Sequence, residues 1–284
     1  MDHQGDFVLL KQPGMRIWLR RKAMEALLEA VRAPDELFGR DECRIIKDQR
    51  KIKVGRFIVP LADQTKVVYV KKYNAFSRRY RWLSLLVPSG ATRSLKGALM
   101  LARHNIPTAS PLAAVESRYW GMLTGSYYLS EEIIDGKTAD AYWAEQLAGL
   151  AGRCGMRRRR QFLSAIALMI QRLHERRIYH NDLKDANIIV APDSREAESF
   201  FLLDLEGVRL CLFLSMRRKI KNLVQLNRTL GRYLARTQRL FFLKHYLGPG
   251  KNEGKILRSW VGQILRATQR ADQRSRAKTS GQER

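Results

Sequence analysis

Four side chains, Asp182, Lys184, Asn187 and Asp204, have the types and spacing of a site that handles phosphate. The first three lie in Tyr179-His180-Asn181-Asp182-Leu183-Lys184-Asp185-Ala186-Asn187, between a long helical pattern and a short apolar run. The fourth ends a second apolar run, Phe200-Phe201-Leu202-Leu203-Asp204, and is followed by Leu205-Glu206-Gly207. Moving a phosphoryl group requires a carboxylate to orient the attacking hydroxyl and a cation to neutralise the transferred charge. It also requires hard oxygen donors for magnesium. Asp182 suits the first role, Lys184 the second, and Asn187 with Asp204 the third. The two acids stand 22 positions apart, the length of two strands and a modest turn, so a hairpin would bring them to one cleft.

The elements that must position these residues fall into two blocks. Short β-branched runs at Cys43–Ile46, Val54–Val59 and Lys66–Val70 predict three antiparallel strands. Ser94–His104 predicts a helix closed by Asn105-Ile106-Pro107. Leu112–Val115 and Tyr127–Glu132 predict two further strands joined by a turn with Gly121 and Gly125, and Ile133–Gly136 reads as a linker. Beyond it the pattern is helical. Arg157–Arg177 carries Phe162, Ile166, Met169, Ile170 and Leu173 on one stripe. Asn187–Val190 and Phe200–Leu203 predict strands around a polar turn at Pro192–Glu198, and helices are expected over Arg217–Tyr246 and Lys255–Gln269. Four parts result: an extension at 1–40 with a basic amphipathic helix at Trp18–Val31, a β-rich lobe at 41–134, a helical lobe at 135–270, and a disordered basic tail at 271–284.

His180-x-Asp182-Leu183-Lys184-x-x-Asn187 resembles the catalytic loop of protein kinases and their small-molecule relatives, and Asp204-Leu205-Glu206-Gly207 stands where that superfamily carries its metal-binding acid. The similarity is greatest to the bacterial lipopolysaccharide kinases, through Val68–Tyr73, Asn105–Thr108 with Pro111-Leu112, and Arg217–Lys219 with Asn222-Leu223. The resemblance implies an α+β, protein-kinase-like fold with a small β-rich N-lobe and a larger helical C-lobe. It implies ATP and Mg²⁺, with Asp182 and Lys184 catalytic and Asn187 and Asp204 on the metal. Lys71, or Lys72 if the strand register differs, would reach the nucleotide phosphates, and Glu132 would frame the adenine through its backbone. The acceptor it implies is a heptose or 3-deoxy-manno-octulosonic acid (Kdo) hydroxyl of the lipopolysaccharide core or a lipid A precursor. Three departures stand out. Ser89–Asn105 lacks the acid that kinases use to hold the lysine, Gly55 is a lone candidate for a phosphate loop, and Asn181 replaces the usual arginine.

Lys and Arg total 53 against 27 Asp and Glu, a formal charge of +26, and 19 basic against 3 acidic residues follow Gly207. Such a field attracts an anionic membrane, a phosphorylated substrate or nucleic acid. No nucleic-acid motif is present and the basic tail has few aromatics, so no nucleic-acid partner is expected. Three scattered cysteines show no metal-ligand or disulfide spacing. With no leader and no apolar run of spanning length, the sequence reads as cytoplasmic, peripheral on the inner face of the inner membrane. A pseudokinase or binding module, favoured by the missing acid and glycines, and a protein Ser/Thr kinase are the alternatives. A nucleic-acid-binding protein is the more distant one.

Overall fold

Alternation of buried and exposed side chains along Met15–Arg20, with Ile17 and Leu19 fully buried, makes this segment a strand. In the computed structural model, which describes residues 5–61, 64–74, 78–192, 198–251 and 253–280, it belongs to a seven-stranded antiparallel sheet. The strands are β1 (Phe7–Gln12), β2 (Met15–Arg20), β3 (Arg44–Gln49), β4 (Ile52–Leu61), β5 (Gln64–Asn74), β6 (Pro111–Tyr119) and β7 (Met122–Glu131). Their order is β1-β2-β6-β7-β5-β4-β3. This corrects the expected N-terminal extension: residues 7–20 are two strands of the sheet, and only Met24–Arg32 (α1) is α-helical. The i, i+4 spacing of Leu19, Ala23, Leu27 and Val31 is real, and all four are fully buried. It joins a strand to a helix across a 3₁₀ turn at Arg21–Ala23.

One face of the sheet packs on α1 through Phe57, Val68, Val70, Leu112 and Leu129, against Leu27 and Val31. The other face carries Tyr73, Ala114 and Tyr128 against Ala91 and Leu95 of α3 (Gly90–Arg103). A short α2 (Arg78–Leu83) precedes α3. Ser89 caps α3 by accepting the Thr92 N–H at 3.0 Å, and Asn105, with φ 55°, ends the turn beyond it. Glu116 of β6 is buried and accepts from Thr92 Oγ1 at 2.6 Å, which ties α3 to the sheet. Burial would raise its carboxyl, but hydrogen bonds from Thr92 and Ser89 and the Arg118 charge hold it low.

The first compact unit reaches Ile134 and also takes in Leu203–Val208, a return the sequence did not reveal; the second is Asp135–Leu202 with the chain from Arg209 onward. In the second unit β8 (Lys137–Thr138), β10 (Ile188–Pro192) and β11 (Glu198–Leu202) form a sheet, accompanied by α4 (Ala139–Tyr142) and β9 (Ile178–His180). The register Ile188↔Leu202 closes the expected hairpin; residues 193–197 of its polar turn lie outside the described residues. The long helix is α5 (Gly152–Glu175), with Phe162, Leu163, Ile166, Ile170 and Leu173 fully buried. β12 (Val208–Leu210) leads to α6 (Met216–Arg228), α7 (Arg236–Leu247) and α8 (Gly254–Ser280).

Two expectations are corrected here. The tail expected to be disordered from 271 is helix as far as Ser280, because α8 docks on α6: Arg228 Nε meets Asp272 Oδ1 at 2.7 Å and Asn227 meets Thr268. Residues 281–284 lie outside the described residues. The arginine tract Arg157–Arg160 does not open a helix, since α5 begins at Gly152. Arg158 pairs with Glu198 at 2.8 Å, Arg159 donates to the Leu147 and Leu150 carbonyls, and Arg160 lies over the Phe241 ring.

Candidate active site

The loop from His180 to Asn187 is shaped by its own backbone and by one face of α6. His180 is fully buried, and its Nδ1 accepts the Asp182 N–H at 3.2 Å, a structural role. Asp182 places Oδ2 2.8 Å from Lys184 Nζ and 3.2 Å from Asn187 Nδ2. Asn187 Nδ2 also donates to the Asp182 carbonyl at 2.8 Å. With both known bonds of that amide made by its nitrogen, its oxygen is the atom suited to a hard cation. Asp185 is buried: its Oδ1 accepts the Ala186 N–H at 2.8 Å, and burial pushes its carboxyl up.

α6 holds this loop with residues that sequence reasoning missed. Gln225 donates from Nε2 to the Asn181 carbonyl at 2.7 Å and accepts the Leu183 N–H at 3.2 Å. Thr229, just beyond the helix, accepts the Asp185 N–H at 3.2 Å. Asn222 donates to the His180 carbonyl, which turns its amide oxygen toward His174 Nε2 at 3.1 Å. His174 Nδ1 then accepts from Tyr246 Oη at 2.8 Å. The signal was present in the sequence: Asn222, Gln225 and Thr229 recur at i, i+3 and i+7, a polar stripe on one helix face.

Burial pushes the His174 imidazole down to about 4. Its folded value lies below its ordinary one, so the stability that it contributes is complete above about pH 6.5. That contribution is lost as pH falls through the interval toward about 4. The melting temperature should therefore drop on acidification, and His174→Gln should drop less between pH 6.5 and 5. Parallel curves for the two proteins would assign the acid sensitivity elsewhere.

In the first unit Lys71 of β5 places Nζ 2.6 Å from Asp204 Oδ1 and 4.9 Å from the Tyr73 ring centroid. Strand alternation sets this: Lys71 shares Tyr73's face, toward α3, whereas Lys72 faces the α1 side and pairs with Asp35 at 2.6 Å. Burial would lower the Lys71 ammonium, but Tyr73, Asp204 and Glu206 outweigh it and raise it. The Tyr73 hydroxyl is itself pushed up, chiefly by burial, to about 12, so near neutral pH the two carboxylates carry the effect. Lys71 thus stays charged.

The missing acid of α3 has a structural counterpart. Asp204, in the left-handed region at φ 57° and ψ 55°, meets Lys71 directly, and α3 offers a cation instead: Arg93 lies 3.4 Å from Glu206. Glu206 is therefore half-buried in an ion pair. A Cβ on Gly97 of α3 would stand 2.7 Å from the Leu205 carbonyl oxygen, so glycine permits the close approach of this loop.

Glu132 and Gly55 are both tied to the sheet. The Glu132 N–H donates to the Val67 carbonyl at 2.8 Å, and its carboxylate binds Arg56 and the Tyr69 hydroxyl. Its backbone N–H is thus engaged by the neighbouring strand. Gly55 lies within β4, opposite Ile45 and Val70, and a Cβ there would stand 2.7 Å from Cys43 Sγ. It is a packing glycine, and the β3–β4 turn is Arg50-Lys51.

The candidate residues form two groups, Asp182–Lys184–Asn187 in the second unit and Lys71–Asp204 in the first. A model of the lipopolysaccharide kinase (Kdo/WaaP) family matches residues 40–246, most of the chain. The chain belongs to that family. It is a phosphotransferase acting on sugar hydroxyls, with a sugar kinase role in the lipopolysaccharide core, and the family implies use of ATP. Among solved structures, one of WaaP in complex with acyl carrier protein superposes with a TM-score of 0.65 at 18% identity, covering 91% of this chain and 98% of that one. The fold is protein-kinase-like, as the catalytic-loop resemblance implied. No curated protein sequence matches.

Proposed function

We propose that this lipopolysaccharide kinase transfers the γ-phosphate of ATP to a heptose or Kdo hydroxyl of the inner core or of a lipid A precursor. The observation that carries this reading is the placement of Asp182 Oδ2 against both Lys184 and Asn187, on a loop pinned by α6. Asp182 orients the acceptor hydroxyl and takes its proton. Lys184, 2.8 Å from that carboxylate, neutralises the group in transit. Asn187 and Asp204 supply an amide oxygen and a carboxylate, the hard donors that Mg²⁺ prefers. Bound Mg²⁺ would offset the charge on the phosphates. Lys71, now paired with Asp204, would meet a nucleotide phosphate, and Asp204 would then be available to hold the metal.

Lys221 Nζ lies 3.3 Å from Asn181 Oδ1, next in the chain to Asp182, and with Arg218 flanks the Tyr179 ring, which suits an acceptor bearing carboxylate or phosphate. The acceptor is borne on a lipid, so the reading includes peripheral attachment to the anionic inner face of the membrane. Among the described residues no helix is long and apolar enough to cross a membrane. The binding-module alternative drew on the missing α3 acid, and the Asp204 contact with Lys71 supplies another way to hold that lysine. Label from [γ-³²P]ATP is expected to enter purified lipid A–core in the presence of Mg²⁺ and not a protein substrate run in parallel. Label on protein alone would transfer the assignment to the Ser/Thr kinase alternative.

A further inference from the structure

Among the described residues, the first unit carries an apolar surface that no other element covers. Trp82, Leu86 and Trp120 are 66%, 86% and 83% exposed, and Leu83, Leu85 and Tyr119 are each about half exposed or more. Soluble surfaces scatter such residues singly, and a contiguous group of them marks an interaction site. These residues come from two segments, the end of α2 with the following turn and the β6–β7 turn, which are stapled together. Arg118 Nη1 donates to the Ser84 carbonyl at 3.1 Å and to the Gly121 carbonyl at 2.8 Å. The Leu123 N–H donates to Ser84 Oγ at 2.9 Å, and Leu85 reaches to 3.4 Å from where a Gly121 Cβ would stand. Glu116 in turn holds Arg118 at 3.3 Å. The apolar side chains are displayed on a braced platform.

We propose that this platform, Trp82–Leu86 with Tyr119 and Trp120, is the surface that docks the kinase on an anionic bilayer. The inference rests on the lipid-borne acceptor proposed above and names where attachment occurs. Charge agrees with it: the chain carries a formal +26, and the exposed Arg81 directly precedes Trp82. Trp, Tyr and Leu beside Arg are the side chains that settle at a membrane–water boundary, rings at headgroup level and cations on the phosphates. The apolar positions of the expected amphipathic helix at Trp18–Val31, namely Leu19, Ala23, Leu27 and Val31, are buried in the core and unavailable.

The test uses the full chain and sedimentation with vesicles of phosphatidylcholine, alone or with phosphatidylglycerol, in the absence of nucleotide and acceptor. Wild type is expected to partition onto the anionic vesicles. The double variant Leu86→Ser, Trp120→Ser should lose about tenfold or more in partitioning, with unchanged circular dichroism. Brominated lipid should quench wild-type tryptophan fluorescence, and the quenching should shrink in Trp120→Ser. Undiminished vesicle binding by the double variant, or no binding by wild type, would overturn the proposal. Capture of an acidic acyl carrier protein through the same residues, without vesicle binding, would give the platform to a protein partner instead. Vesicle binding that depends on the platform in a chain that transfers no phosphate would defeat the kinase reading while leaving the docking surface intact.

Discussion

Asp182→Ala is expected to lower turnover by about 10²–10⁴-fold while leaving nucleotide affinity near the wild-type value. The carboxylate is the only one in its loop presented beside a cation and an amide together, 2.8 Å from Lys184 and 3.2 Å from Asn187. The neighbouring acid, Asp185, is turned inward on the Ala186 N–H and is not offered to an acceptor. Loss of Asp182 leaves the loop its other supports, since Gln225, Thr229 and Asn222 bind the backbone on either side. Loop collapse is therefore not the expected cause of lost activity. Single-turnover transfer to lipid A–core and calorimetric titration with ATP separate the two effects. A variant that keeps more than about a tenth of the wild-type kcat would remove Asp182 from the role of base.

The catalytic half of this arrangement was legible in the sequence because it is local. His180 to Asn187 is one loop, and the strands that follow it alternate plainly enough to predict the Ile188↔Leu202 hairpin. The stripe on α5 was equally readable, because Phe162, Ile166, Ile170 and Leu173, all fully buried, recur at intervals of four and three along it. Illegible features were those made by distant parts of the chain. Lys71 meets a carboxylate 133 positions away, and nothing near Lys71 announces it. The charge reversal between α3 and the loop after Asp204, Arg93 to Glu206, likewise depends on a fold that returns Leu203–Val208 to the first unit.

Misreadings had a common physical origin, the reading of one period where two elements meet. At Trp18–Val31 a strand whose alternate residues Ile17 and Leu19 are buried runs into a helix whose Leu27 and Val31 are buried. Leu19 satisfies both periods, so the helical pattern extended backwards over the strand. In the last part of α8, beyond the expected Lys255–Gln269, the opposite occurred: charged residues hid the helix because its contacts with α6 there are polar, Arg228 with Asp272 and Ser275. Apolar periodicity cannot report a helix fastened by such bonds.

Lys71→Met should lower kcat/KM for ATP on the order of 10²-fold, and Lys72→Met should leave it nearly unchanged. The two lysines are adjacent and equally charged, so composition cannot rank them; the pleat does. Lys71 lies on the α3 face with its ammonium 2.6 Å from Asp204, while Lys72 lies on the α1 face with its ammonium 2.6 Å from Asp35. Only the first is within reach of an acid proposed to hold the metal. A nucleotide phosphate can take over the Lys71 charge because the pair is not sealed away: its side chains retain 22% and 30% exposure. Lys71→Met also strips Asp204 of its counter-ion, so melting temperature and Mg²⁺ dependence must be followed with the kinetics. The expected signature is a raised KM for ATP and a reduced kcat in a folded protein. Lys72→Met should at most loosen the α1 side of the sheet, where an exposed ion pair contributes about 1 kcal/mol or less. Larger damage from Lys72→Met than from Lys71→Met would place the nucleotide on the other face of β5, and the role assigned to Asp204 would fall with it.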